Sequence, residues 1–183
     1  MNIKTTTLEG CLIIEPKVFD DERGYFFESF HQQKFQKLTG LKTQFVQDNQ
    51  SMSQRGVLRG LHFQKGKFAQ SKLVRVIKGS VLDVAVDLRK DSSTFGKHFS
   101  IILSEKNKLQ LFIPRGFAHG FVVLEDDTIF SYKCDNYYNK SAEGGVVYND
   151  KDLHIDWMLN EEEMILVEKD KLLESYSVFR NFL

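Results

Sequence analysis

The sequence predicts an all-β protein, and three features carry the prediction. It holds 16 Phe, 6 Tyr and 1 Trp, residue types that favour strands. Only one segment shows a helical spacing of apolar residues. Elsewhere, short β-branched and aromatic runs follow one another closely, as in a sandwich or a barrel. Periodicity alone does not choose between those two.

Taken in order, Cys11–Pro16 and Tyr25–Phe30 read as strands. His31–Thr39 reads as a helix with Phe35 and Leu38 on one face and Gly40 as its stop. Phe45–Asn49 and Gly56–Phe63 are the next strands. Lys72–Ile77 and Val81–Leu88, joined by Lys78-Gly79-Ser80, read as a hairpin, because a glycine turn separates two β-branched runs. In the second run Leu82, Val84, Val86 and Leu88 point one way, and Asp83, Ala85 and Asp87 the other. Further strands are expected at His98–Leu103, Gln110–Ile113, Ala118–Leu124 and Thr128–Asn136. From about Asp150 the pattern is less regular. Glu161-Glu162-Glu163 fits the opening of a short helix, and Ile165-Leu166-Val167 is left open.

The 183 residues, 42 % of them hydrophobic, suffice for one buried core, so residues 1–183 are expected to form a single domain. Formal net charge is zero, so a long nucleic-acid duplex, whose binding needs a large basic field, is not expected as a partner. A small anion needs only a few local cations and is not excluded. Cys11 and Cys134 have neither metal-ligand spacing nor a secreted-disulfide pattern, which suits a reducing compartment. No signal-peptide pattern and no membrane-spanning apolar run is present, so a cytoplasmic location and no membrane partner are expected.

Four segments carry chemistry-bearing residues. In Gly56–Gln64, strand alternation puts Leu58, Gly60 and His62 on one face and Arg59, Leu61 and Phe63 on the other. A lone histidine there is ordinarily a satisfied structural residue. In Ile113–Phe121, His119 suits either a hydrogen bond to an anion or sugar, or a buried bond to backbone. Metal ligation is disfavoured: a β-sandwich metal site commonly takes two histidines one residue apart on a strand, and the residue two after His62 is Gln64. In Tyr132–Tyr138, alternation aligns Tyr132, Cys134, Asn136 and Tyr138; a tyrosine there serves as an acid, as a stacking ring or simply as packing. Glu168-Lys169-Asp170, Arg23-Gly24 and Gln47-Asp48-Asn49 are ordinary surface chemistry when read alone.

Taken together these segments are more specific. Phe19-Asp20-Asp21-Glu22-Arg23-Gly24-Tyr25-Phe26-Phe27-Glu28 comes first, then Gln47-Asp48-Asn49-Gln50-Ser51 and Val57-Leu58-Arg59-Gly60-Leu61-His62. Lys72-Leu73-Val74-Arg75-Val76, Val86-Asp87-Leu88-Arg89, Pro114 to Phe121, Tyr132-Lys133-Cys134 and Glu168-Lys169-Asp170 follow in order. From the first strand to Asp170 this series resembles the dTDP-4-dehydrorhamnose 3,5-epimerase family. The resemblance implies a double-stranded β-helix, or cupin jelly roll, with short peripheral helices, acting as a homodimer without metal or other cofactor. It implies conversion of dTDP-4-keto-6-deoxy-D-glucose to dTDP-4-keto-L-rhamnose. His62 is then the base, Asp170 its orienting partner, Lys72 the group facing the ketone oxygen and Tyr132 the acid. Arg23, Arg59 and Lys169 are implied as cations around the diphosphate. Glu28, Gln47 and Asn49 are implied as nucleotide contacts, Tyr138 as a ring on thymine, and His119 and Glu143 as further contacts. The nearest rival is a sister epimerase acting at one carbon or on a related nucleotide keto-sugar; the other classes are a metal-dependent cupin, which Gln64 argues against, and a cupin that only binds sugar nucleotides. A pure binder needs no acid and base on opposite faces, which His62, Lys72 and Tyr132 would supply.

Overall fold

The computed structural model describes residues 1–182. Strands β1 (Asn2–Thr5) and β2 (Leu12–Glu15) precede a hairpin of β3 (Val18–Asp21) and β4 (Gly24–Phe27). Helix α1 (Gln32–Thr39) leads to β5 (Gln47–Ser53), β6 (Leu58–Gln64), β7 (Lys72–Lys78) and β8 (Ser80–Asp87). Then come β9 (His98–Ser104), β10 (Gln110–Ile113), β11 (Phe117–Val123), β12 (Thr128–Cys134) and β13 (Glu143–Gly145). Helices α2 (Glu168–Lys171) and α3 (Tyr176–Phe182) close the described chain.

Strands β3 and β4 form a two-stranded sheet of their own, and the other eleven strands form two antiparallel sheets. One runs β1-β2-β10-β7-β12-β5 and the other β13-β6-β11-β8-β9. Val74, Leu111, Ile113 and Phe130 of the first pack against Val81, Ala85, Leu103 and Phe121 of the second, so the central core lies between the sheets. This is the jelly roll that the resemblance implies. A second core covers the outer face of the smaller sheet, where Leu58, Leu61, Leu82 and Val84 meet Leu153, Trp157 and Tyr176 of the tail. A third places Phe35 of α1 on Ile14, Leu73 and Phe112, outside the larger sheet. Two covered faces explain why every residue of β8 is buried.

The helix forms where its spacing predicts. His31 caps its start by accepting from the Lys34 N–H, and Gly40 ends it at φ 73°. Phe35 alone buries its side chain, which stabilises the docked helix by about 1.5–3 kcal/mol. Leu38, expected beside it, is 48 % exposed.

The hairpin over Lys72–Leu88 is not one. β7 pairs with β10 and β12, whereas β8 pairs with β9 and β11. Gly79, at φ 79°, carries the chain from one sheet to the other across Thr128. A glycine between apolar runs signals a reversal but not whether the reversal stays within a sheet. Tyr25–Phe30 also shortens: β4 ends at Phe27 and pairs only with β3, outside both sheets. In the tail a short 3-10 turn does form at Glu161–Glu163, while Ile165 makes a single bridge to Val57.

The alternation assumed for Gly56–Phe63 breaks in the middle of β6. His119 pairs with His62 and Phe121 with Arg59, so three steps on β6 face two on β11. This bulge turns Arg59 and His62 to the same side, contrary to simple alternation. It needs close backbone contact. A Cβ on Gly60 would lie 2.5 Å from the Gly120 Cα, and one on Gly120 would lie 2.8 Å from the Arg59 carbonyl oxygen. Gly120→Ala should therefore lower stability by roughly 1–3 kcal/mol, because backbone rather than a flexible side chain must move. Urea unfolding of the variant measures it, and an unchanged midpoint would show that the strands separate freely.

Candidate active site

Between the sheets, at one end of the sandwich, lies a cleft of about 650 Å³ with a smaller lobe of about 260 Å³ beside it. Asn49, His62, Lys72 and Tyr132 line both. They come from β5, β6, β7 and β12. His62 stands on the smaller sheet and Tyr132 on the larger, so the two occupy opposite walls.

The tail reaches back to complete the His62 wall. Asp170 in α2 is buried, its side chain 3 % exposed, and its Oδ1 lies 2.8 Å from His62 Nε2. Its Oδ2 accepts from the Gly60 N–H at 3.3 Å, so the bulge that turns His62 inward also holds its partner. Burial would raise the Asp170 pKa, but the bond to His62, the Gly60 N–H and nearby Lys169 outweigh it and keep the carboxyl below the usual range. Asp170 is thus an anion beside the imidazole, able to fix its orientation and stabilise its protonated form.

On the facing wall, burial pushes the Tyr132 hydroxyl above its ordinary pKa, reinforced by Cys134 and opposed by Arg59. The phenol therefore keeps its proton and is a donor. The Lys72 ammonium lies 5.8 Å from the Tyr132 ring centroid and makes no hydrogen bond or ion pair among the described residues. Desolvation lowers its pKa, while Cys134, Asp83 and Glu143 pull it back up.

His119 is in the wall rather than projecting from it. It is buried, its Nε2 lies 2.9 Å from Asp83 Oδ2, and its ring stacks on Phe130. Desolvation lowers its pKa against the pull of Asp83. Asp83 Oδ1 is buried without a hydrogen-bond partner among the described residues. Asp83 was not singled out from the sequence, yet its signal was present: an acidic residue inside an otherwise apolar run.

Of the expected ligand contacts, Arg59 lines the cleft and donates to Ser53 Oγ. Gln47 accepts from the Tyr138 N–H and donates to Asn49 Oδ1. Tyr138 Oη and Lys169 Nζ both donate to Glu143. Arg23 and Glu28 are not brought to the cleft. Arg23 is 84 % exposed and pairs with Asp21, and Glu28 pairs with Lys34. Both belong to the β3–β4 arm and its exit, outside the sandwich. Residues not anticipated in the lining include Val57, Phe121, Ile165 and Val167, which make one flank apolar. Among the described residues no three His, Cys, Asp or Glu side chains gather as a metal would require. No helix of the described residues is long and apolar enough to cross a membrane.

Fold and cleft define a class, the jelly-roll proteins with a polar ligand cleft between their sheets. Residues 5–177 match the model of the dTDP-4-dehydrorhamnose 3,5-epimerase family. The enzyme of that name from Shigella flexneri is 52 % identical over 170 residues, 93 % of each chain. The crystal structure of the one from Elizabethkingia anophelis superposes with a TM-score of 0.94 at 58 % identity, covering 97 % of both chains. The Legionella pneumophila enzyme, solved in complex with dTDP-4-keto-L-rhamnose, gives 0.93 at 48 % identity, covering 97 % of this chain and 93 % of that one. The chain belongs to the dTDP-4-dehydrorhamnose 3,5-epimerase family.

The electrostatics of the cleft predict a titration. Lys72 should lose its proton below the ordinary lysine range, and Asp83→Asn should lower the midpoint further by removing a charge that favours the ammonium. Carbon-13 NMR of reductively methylated protein reports both. A Lys72 that titrates with the surface lysines would contradict its desolvation.

Proposed function

We propose that the protein converts dTDP-4-keto-6-deoxy-D-glucose to dTDP-4-keto-L-rhamnose by epimerising C5 and C3, on the route to dTDP-L-rhamnose. The observation that carries this reading is the placement of a histidine–aspartate pair and a protonated tyrosine on opposite walls, with a lysine beside the tyrosine. The C4 ketone acidifies the hydrogens on both neighbouring carbons. His62 removes one from its side, and Asp170 stabilises the imidazolium that results. Lys72 balances the negative charge that moves onto the ketone oxygen, an interaction strengthened where water is excluded. Tyr132 returns a proton from the other side, which inverts the carbon. The reaction exchanges protons without net oxidation or reduction, so this chemistry calls for neither metal nor redox cofactor. A cytoplasmic location belongs to the reading, since Cys11 and Cys134 are free thiols.

We further propose a homodimer. The arm exposes Phe19, Tyr25 and Phe26, the last 70 % exposed, and pairs with neither sheet. Laid on a second copy, it would cover these rings and bring Arg23 and Glu28 toward that copy's cleft. Sedimentation should show a dimer, and Phe26→Asp should shift it toward monomer. A wild-type monomer at micromolar concentration would reject the arrangement.

The catalytic reading is tested by proton NMR of the keto-sugar nucleotide in heavy water. Wild-type protein should place deuterium at both C5 and C3. His62→Ala should slow exchange at both carbons by roughly 10²- to 10⁴-fold while remaining folded. Tyr132→Phe should impair product formation more than exchange at C5. Exchange at one carbon alone would make the chain a single-site epimerase, and undiminished exchange in His62→Ala would remove the histidine as base.

A further inference from the structure

Lys72 is the first residue of β7, and strand ends are where a sheet opens most readily. No ion pair or hydrogen bond among the described residues holds its ammonium, so the backbone beneath it sets where that charge sits. β7 lies between β10 and β12, and both run antiparallel to it. Lys72 pairs with Ile113 on one side and with Cys134 on the other. The ends of β10 and β12 therefore flank the start of β7.

Those two ends are joined across it. Arg115, two residues after β10, donates from Nε to Asp135 Oδ2 at 2.8 Å, and Asp135 directly follows β12. The other oxygen of that carboxylate, Oδ1, accepts from the Ser71 N–H at 2.7 Å. The Asp135 N–H donates to the Ser71 carbonyl at 3.2 Å. Ser71 is buried and immediately precedes Lys72. β12 thus grips β7 one residue beyond the last cross-strand pair, with a carboxylate as well as with backbone. Exposed ion pairs are weak, but the Asp135 side chain is only 10 % exposed. A carboxylate on a backbone N–H is also a stronger acceptor than a neutral oxygen. The adjoining loops are laced along the same seam, where Gln70 Nε2 donates to the Asn136 carbonyl at 2.7 Å and Asn136 Nδ2 to the Lys67 carbonyl at 2.9 Å. Neither Arg115 nor Asp135 lines the cleft or its smaller lobe. They reach the cleft through the backbone of β7.

We propose that Arg115 and Asp135 form a strap that positions Lys72 against the ketone oxygen of the substrate. Asp135 holds the backbone one residue before the lysine, and Arg115 holds Asp135 in the orientation that this requires. Both are positioning residues, and neither touches substrate. The strap matters because a backbone shift at the strand end carries directly to the ammonium, and a displacement of about 1 Å costs up to about 10²-fold in rate. This inference rests on the reading of Lys72 as the group that faces the ketone.

Steady-state kinetics and amide hydrogen exchange on the full chain test it. Asp135→Ala should lower kcat by about 10- to 100-fold and change KM by less than about three-fold. Asp135→Asn keeps an oxygen for the Ser71 N–H and should recover part of the loss. Arg115→Met should cost less than Asp135→Ala, and added to it should bring no further fall, because Arg115 acts through Asp135. In Asp135→Ala the amides at the Ser71 end of β7 should exchange faster, while those at the Lys78 end keep wild-type protection. An unchanged kcat in folded Asp135→Ala overturns the proposal. A loss that Asp135→Asn does not relieve, with faster exchange along the whole of β7, makes the pair a support of the sheet and overturns it too. A change in KM alone places the pair in substrate binding, which is equally fatal. If the wild-type chain exchanges no hydrogen on the keto-sugar nucleotide, the catalytic reading itself falls and the strap's role with it. Exchange by the wild type keeps that reading even where the strap variants are fully active.

Discussion

The close approach of two glycines, Gly60 on β6 and Gly120 on β11, is the constraint on which the rest of the cleft depends. Where they touch, β6 spends one more residue than its partner. Arg59 and His62 consequently face the same cavity, and the Gly60 N–H is left for Asp170. Side chains at either glycine would push the strands apart. His62 would then lose its orientation, its aspartate and its place opposite Tyr132 together. The bulge is a local backbone event, but the site is assembled around it.

Charge is arranged in the cleft in a way that the chain's neutrality conceals. A net charge of zero says nothing of where the charges lie. Asp83 and Asp170 are both buried, each bonded to a histidine ring, and those histidines are cross-strand partners. Lys72 lies between the sheets with its ammonium uncompensated by any close carboxylate. Such a cation is costly to bury unless an anion forms beside it during use. The enolate oxygen of the proposed reaction would be such an anion.

The three packing layers divide the labour. The core between the sheets holds the walls at fixed separation, while α1 and the tail seal the outer faces. The tail does more than seal, since it also delivers Lys169 and Asp170 to a cleft otherwise built from strands. That delivery explains why its sequence is irregular. Residues 165–167 follow the rim of the cavity, and the single turn of α2 begins only at Glu168.

Much of this was legible in the sequence. The all-β class, the helix ending at Gly40 and the strand at Gln110–Ile113 follow from residue type and local spacing, because turn chemistry and apolar periodicity act between near neighbours. His62, Lys72, Tyr132 and Asp170 were legible through an ordered set of motifs, and the structure gathers all four around one cleft. The path across Gly79 from one sheet to the other, the common facing of Arg59 and His62, and the pairing of His119 with Asp83 were not legible. Each depends on which strands become neighbours, and that is set by burying apolar surface over the whole chain rather than by any short stretch of it. For the same reason Arg23 and Glu28 matched the motif but stand away from their own cleft. Residue type was decided in the sequence, and reach only by the tertiary structure.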